Sequence, residues 1–137
     1  ILRVRMPFCD QLHERSYLTK IKKYDNLINL TNSKTYIPQL IEFINQLITE
    51  GKETKEKDIV NFVQPEALPT DGIVDLMKTH KLSNPNWNWV QFEELNCKAN
   101  RSNCVLDTSK LQDKYSFSPI SEELAICAAL NNIITDE

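Results

Sequence analysis

The sequence predicts an α/β fold. Short β-prone runs alternate with amphipathic stretches: ILRVRM, YLTKIKKY, LINL, YIPQLIEFINQLITE and IVNFV follow one another. Strand, helix, strand, helix at these lengths fits a layered α/β arrangement better than a helix bundle. The 137 residues suffice for one domain with a sizeable core, and not comfortably for two.

The elements can be justified in order. Ile1, Leu2, Val4 and Met6 form an apolar run that Pro7 stops, as at the end of a buried strand. Such a strand normally pairs with one earlier in the sequence. The segment is therefore expected to come from the C-terminal part of a longer protein. Residues 8–16 are polar and irregular and read as a loop. Tyr17 to Tyr24 reads as a short helix with Leu18 and Ile21 inward and Lys20, Lys22 and Lys23 solvated. Asp25 and Asn26 make a turn, 27–30 a short strand, and 31–34 a loop rich in helix-capping side chains.

The clearest helix follows. Ile37, Leu40, Ile41, Ile44, Leu47 and Ile48 recur at spacings of three and four, with Pro38 in the first turn and Gly51 at the C-terminal cap. Residues 52–58 alternate in charge and read as an exposed connection. A strand is expected over 59–63, closed by Gln64 and Pro65. Thr70 or Asp71 would then cap a helix carrying Ile73, Val74, Leu76 and Met77. Region 83–106 is less regular, with a candidate strand placing Trp87 and Trp89 on one face. A short helix near 108–114 and a last helix capped by Ser121 complete the chain.

Composition narrows the function. A net charge of −3 lacks the clustered basic excess of a nucleic-acid surface. Only two glycines occur, Gly51 and Gly72, far apart, so no glycine-rich turn can cradle a dinucleotide pyrophosphate. The longest apolar run falls short of a membrane span. Cys9, Cys97, Cys104 and Cys127 show no CxxC spacing and read as reduced, mostly buried thiols of a cytoplasmic protein.

Several residues invite a chemical role. His13 and His80 lack partners at metal-ligand spacing and read as surface or capping residues, so no metal site is expected. No nucleophile-elbow sequence supports a Ser-His-Asp arrangement. Trp87 and Trp89 could stack on a base or sugar, although alternating aromatics more often pack in a core. Lys20, Lys22 and Lys23 could attract a phosphate, but a solvated helix face is the default. Arg101 stands out, because it lies in the polar loop ANRSN just before VLDTSKL, where a fixed guanidinium could clamp a diphosphate.

Read in order, LRVRMP, SYLTKI, INLTNSKTYIPQL, IVNFVQPEALPTDGIVDLM and RSNCVLDTSKL resemble the C-terminal part of dTDP-4-dehydrorhamnose reductase. The likeness is greatest to the bifunctional UDP-4-keto-6-deoxyglucose 3,5-epimerase/4-reductases of UDP-L-rhamnose synthesis. These are extended short-chain dehydrogenases/reductases. The resemblance implies the C-terminal portion of a Rossmann-type reductase, its last sheet strands plus a small substrate-binding subdomain. Residues 1–137 would be the substrate-binding part, and NADP(H) would be held mainly by an N-terminal part absent from this sequence.

The resemblance also implies that the chain begins just after the catalytic helix. Tyr17-Leu18-Thr19-Lys20 has the wrong spacing for the Tyr-x-x-x-Lys pair, and neither Tyr24 nor Tyr36 has a lysine four residues on. No catalytic residue is therefore assigned, and the chain alone is expected to be inactive. Arg5, Met6, Pro7 and Phe8 would pass the cofactor. Ser16, Asn32, Thr35 and Arg101 would face the substrate, with Ser16 standing where relatives commonly carry Asn. The implied partners are a nucleotide sugar and a second copy in a homodimer, with no nucleic acid and no membrane. A non-catalytic sugar-nucleotide-binding or regulatory module is the alternative. It is distinguished by whether a cofactor turn and Tyr-x-x-x-Lys precede Ile1, whereas a ligand-free interaction domain would gain no thermal protection from UDP-sugars.

Overall fold

The computed structural model describes residues 1–50 and 57–135. Its strands are short and pair in parallel. β1 (Leu2–Arg3) runs beside β5 (Val60–Asn61), and β2 (Pro7–Phe8) beside β4 (Thr35–Tyr36). Phe62 N–H donates to the Arg3 carbonyl, Thr35 N–H to Arg5 and Gln64 N–H to Lys34, each at 2.8 Å, so the segments around 5, 34 and 63 lie together. Parallel neighbours need crossover connections, which α1 (Tyr17–Lys23) and α2 (Ile37–Glu50) supply. β3 (Asn26–Leu27), within the stretch read as turn and strand, pairs with β6 (Asn88–Trp89).

Two cores form. The larger joins α1 to α3 (Thr70–Thr79) and α5 (Glu122–Thr135) through Leu18, Ile73, Met77, Ile126 and Leu130, all buried. The smaller packs Phe43 of α2 against Phe62, Phe117 and Tyr115, with ring centroids 5.4, 5.2 and 5.7 Å away. Leu111 of α4 (Ser109–Tyr115) closes it.

The structure corrects the expected side of α2. Phe43, outside the isoleucine stripe, is its buried centre, whereas Ile41 and Ile48 are 53% and 72% exposed. The aromatic cluster, assembled from distant segments, decides which face turns inward. Neither Thr70 nor Asp71 caps α3. Thr70 Oγ1 instead bonds the Leu30 carbonyl at 3.1 Å, and Asp71 accepts from Asn29 Nδ2 at 3.1 Å, tying α3 to the chain before it. Ser121 does cap α5, accepting from Leu124 N–H at 3.3 Å. Trp87 is half-buried with its indole N–H on the Ile21 carbonyl at 2.8 Å, while Trp89 is exposed.

The cysteines are free thiols, three half-buried and Cys97 exposed, rather than mostly buried. His80 caps α3, its ring nitrogen 2.8 Å from the Leu76 carbonyl. The Gly51 cap and most of the charged connection lie outside the described residues. No helix among the described residues is long and apolar enough to cross a membrane.

Candidate functional site

A cleft of about 330 Å³ opens between α1, the segment 26–32 and the loop carrying Leu95 and Arg101. Met6, in left-handed backbone geometry (φ 38°), turns the chain from β1 into β2 and brings Pro7 to the mouth of the cleft. Tyr17, Lys20 and Tyr24 reach it from α1 and its C-terminal cap, and Arg15 from the residue before the helix cap. Leu27, Ile28 and Leu30 provide an apolar wall ending at Asn32.

The electrostatics are one-sided. Arg15, Lys20 and Arg101 all line the cleft, and among the described residues no Asp or Glu does. Three cations over apolar and aromatic walls suit an anion joined to a flat, partly apolar body. Burial holds the Tyr17 hydroxyl well above the ordinary phenol range, so it stays a neutral donor throughout the physiological range.

Four of the eight residues singled out in the sequence meet here: Met6, Pro7, Asn32 and Arg101. The other four do not line the cleft. The Thr35 hydroxyl is fully buried, donating to the Phe62 carbonyl at 2.7 Å and accepting from Arg5 N–H at 3.1 Å. Phe8 is buried against Tyr36, with centroids 5.2 Å apart. Ser16 is buried at the start of α1. The Arg5 guanidinium donates to the Cys104 carbonyl at 3.0 Å and so holds the loop behind Arg101.

A dinucleotide fits only in part. Met6 and Pro7 form an apolar ledge at the cleft that could take one flat ring. Gly72 sits inside α3, where a Cβ would meet Leu68 at 3.7 Å, so it forms no phosphate cradle. Among the described residues no three His, Cys, Asp or Glu side chains gather as metal ligands.

In the sequence Lys20 read as a solvated residue that could attract a phosphate, and it is exposed at the cleft; Tyr17 was weighed only as half of a catalytic pair, and Arg15, Lys34 and Glu122 carried no signal of their own. A lysine-rich helix face was the only signal for Lys20. Lys34, in a loop of capping residues, gave no sign that it reaches Glu122, 88 positions away.

No protein-family model matches the chain. A protein of Acanthamoeba polyphaga mimivirus is 31% identical over 120 residues, which is 86% of this chain and 40% of that protein. Its crystal structure, that of a UDP-rhamnose synthase, superposes with a TM-score of 0.81 over 96% of this chain and 45% of that one, at 28% identity. A trifunctional UDP-glucose 4,6-dehydratase/UDP-4-keto-6-deoxy-D-glucose 3,5-epimerase/UDP-4-keto-L-rhamnose-reductase of Arabidopsis thaliana is 32% identical over 119 residues, 83% of this chain and 17% of that enzyme. The dTDP-4-dehydrorhamnose reductase of Bacillus anthracis, in complex with NADP, shares the fold at 14% identity, with a TM-score of 0.71 over 100% of this chain and 48% of that one. The chain thus spans less than half the length of each of these proteins. It is a homologue of the C-terminal part of the UDP-rhamnose synthases and rhamnose-nucleotide reductases.

Proposed function

We propose that this chain is the sugar-nucleotide-binding part of a rhamnose-nucleotide synthase, which reduces a 4-keto-6-deoxy sugar nucleotide to UDP-L-rhamnose and carries 3,5-epimerase activity in the same enzyme. The observation that carries this reading is the cleft itself, in which Arg101, Lys20 and Arg15 face apolar and tyrosine walls with no opposing carboxylate among the described residues. UDP fits the reading better than dTDP because both relatives above 30% identity lead to UDP-sugar enzymes by name or by crystal structure.

In this reading Arg101 grips the diphosphate from the loop side, Lys20 grips it from α1 and Arg15 from the segment just before that helix. Asn32 uses its Oδ1 to accept from Cys104 N–H at 3.1 Å, which leaves its NH2 for a sugar oxygen. Tyr17 and Tyr24 flank the ligand body and help exclude water. NADPH, when bound, supplies the hydride for the C4 ketone, with Met6 and Pro7 as this chain's neighbours of its reactive end. The chain carries no Tyr-x-x-x-Lys pair, so the proton for the C4 oxygen comes from another part of the enzyme. This chain contributes orientation, holding the ketone where hydride can reach it.

A chimera tests the proposal. The matching segment of the mimivirus UDP-rhamnose synthase is replaced by this chain, and NADPH oxidation is followed with UDP-4-keto-6-deoxyglucose. Substrate-dependent oxidation with formation of UDP-L-rhamnose is the expected result. A folded chimera that binds NADPH but leaves the substrate unchanged would overturn the proposal.

A further inference from the structure

Beneath the cleft floor lies an ion pair cut off from solvent. The Lys34 ammonium and the Glu122 carboxylate are 3.2 Å apart, with side chains 1% and 0% exposed. Lys34 donates to three acceptors: the Asn32 carbonyl at 2.8 Å, the Leu68 carbonyl at 3.3 Å and Glu122 Oε2. The Tyr17 ring lies against it, 5.1 Å from centroid to Nζ. Glu122 Oε2 also accepts from Leu68 N–H at 2.5 Å. The pair therefore fastens the 32–34 segment, the turn before α3 and the first residue of α5 at one point.

From that point a relay leads to the cleft's loop wall. Asn32 pairs with Cys104 as an isolated parallel bridge. Ser33 N–H donates to the Cys104 carbonyl at 2.9 Å, and Ser33 Oγ accepts from Leu106 N–H at 2.8 Å. Thr31 N–H bonds Asn103 Oδ1 at 2.7 Å. Segment 31–33 thus holds residues 103–106, and Arg101 lies just upstream of them.

A buried ion pair is a poor device for stability alone, because the desolvation of both charges offsets most of their attraction. Its value lies in geometry: three directed donors define the backbone at Asn32 and Leu68 in a way that an apolar side chain would not. We infer that Lys34 and Glu122 are positioning residues that fix segment 31–33 and, through its bonds to 103–106, set Arg101 in place for a ligand diphosphate. The inference rests on the reading of the cleft as a diphosphate site.

The test uses the full chain, UDP as probe, and amide hydrogen exchange at Cys104 and Leu106. Lys34→Met/Glu122→Gln removes both charges together, so that neither is left buried alone. The double variant is expected to melt near the wild type, bind UDP about tenfold more weakly, and exchange the Cys104 and Leu106 amides at least tenfold faster. A folded double variant with UDP affinity within twofold and unchanged exchange would overturn the inference. If the double variant does not fold, Ser33→Ala decides, since it cuts one link and leaves the ion pair intact. Weaker UDP binding by Ser33→Ala supports the relay, and unchanged binding overturns it. If the wild type does not bind UDP, the functional reading fails on its own, and exchange at Cys104 and Leu106 still decides whether the pair sets the loop.

Discussion

Glu122 and Asp58 each anchor an ion network between segments more than fifty residues apart, yet the two networks differ in nearly every physical respect. Glu122 meets a single lysine in a dry interior. Asp58 gathers Lys114 at 2.8 Å, Lys110 at 3.1 Å and the Tyr115 hydroxyl at 2.5 Å, with lysine side chains about half exposed. Its carbonyl also accepts from the Ile1 backbone nitrogen at 2.7 Å. Water and salt reach the half-exposed lysines of the Asp58 network, so its removal changes less. Neither solvent nor salt reaches Lys34, so removing one partner strands the other. The exposed network has more bonds and the buried one has more consequence.

The largest effect expected from this contrast is that of Lys34→Met alone. It leaves Glu122 charged and dry, and should lower unfolding free energy by roughly 3–5 kcal/mol in urea denaturation. Most of that loss should return in Lys34→Met/Glu122→Gln. Phe43→Ala, which involves no charge, calibrates the scale: emptying the smaller core should cost about 3–5 kcal/mol, with no dependence on salt. If Lys34→Met proved as mild as a surface change, the contrast between the two networks would be broken.

Asp58→Asn should give the smallest shift in melting temperature, one that shrinks further in 1 M salt. It also carries a pH signature. Bonds from Lys114, Tyr115 and Lys110 hold the Asp58 carboxyl well below the ordinary carboxylate range. A carboxyl depressed by folding stabilises fully above its unfolded value, roughly pH 4, and loses that contribution as pH falls toward its folded value. The difference between wild type and Asp58→Asn should therefore be constant from pH 5 to 7 and fade below roughly pH 4. A difference that grew on acidification would contradict this account.

The same contrast explains what could be seen in the sequence. Local periodicity placed α1, α2, α3 and α5, and the capping chemistry of Ser121 was legible because it acts three residues away. What long-range packing decides was not legible. Thr70 looks like a helix cap, yet its hydroxyl serves Leu30, forty residues earlier. The isoleucine stripe of α2 looked like its core face until the rings of Phe62, Tyr115 and Phe117 claimed Phe43. Arg101 drew notice because an arginine in a polar loop has few structural duties, and it lies on the cleft. Lys34 did not, since nothing in its neighbourhood marks a buried lysine.

The cleft is proposed to hold a nucleoside diphosphate through Arg101. Calorimetric titration of the full chain with UDP, beside Arg101→Ala, tests it most directly. Loss of a charge-assisted contact of about 1.5–3 kcal/mol corresponds to a roughly ten- to hundredfold fall in affinity. One UDP per chain, weakened by that factor in Arg101→Ala with the unfolding transition unchanged, is the expected result. Wild-type protein that does not bind UDP, or an Arg101→Ala variant that binds it equally well, would contradict the account.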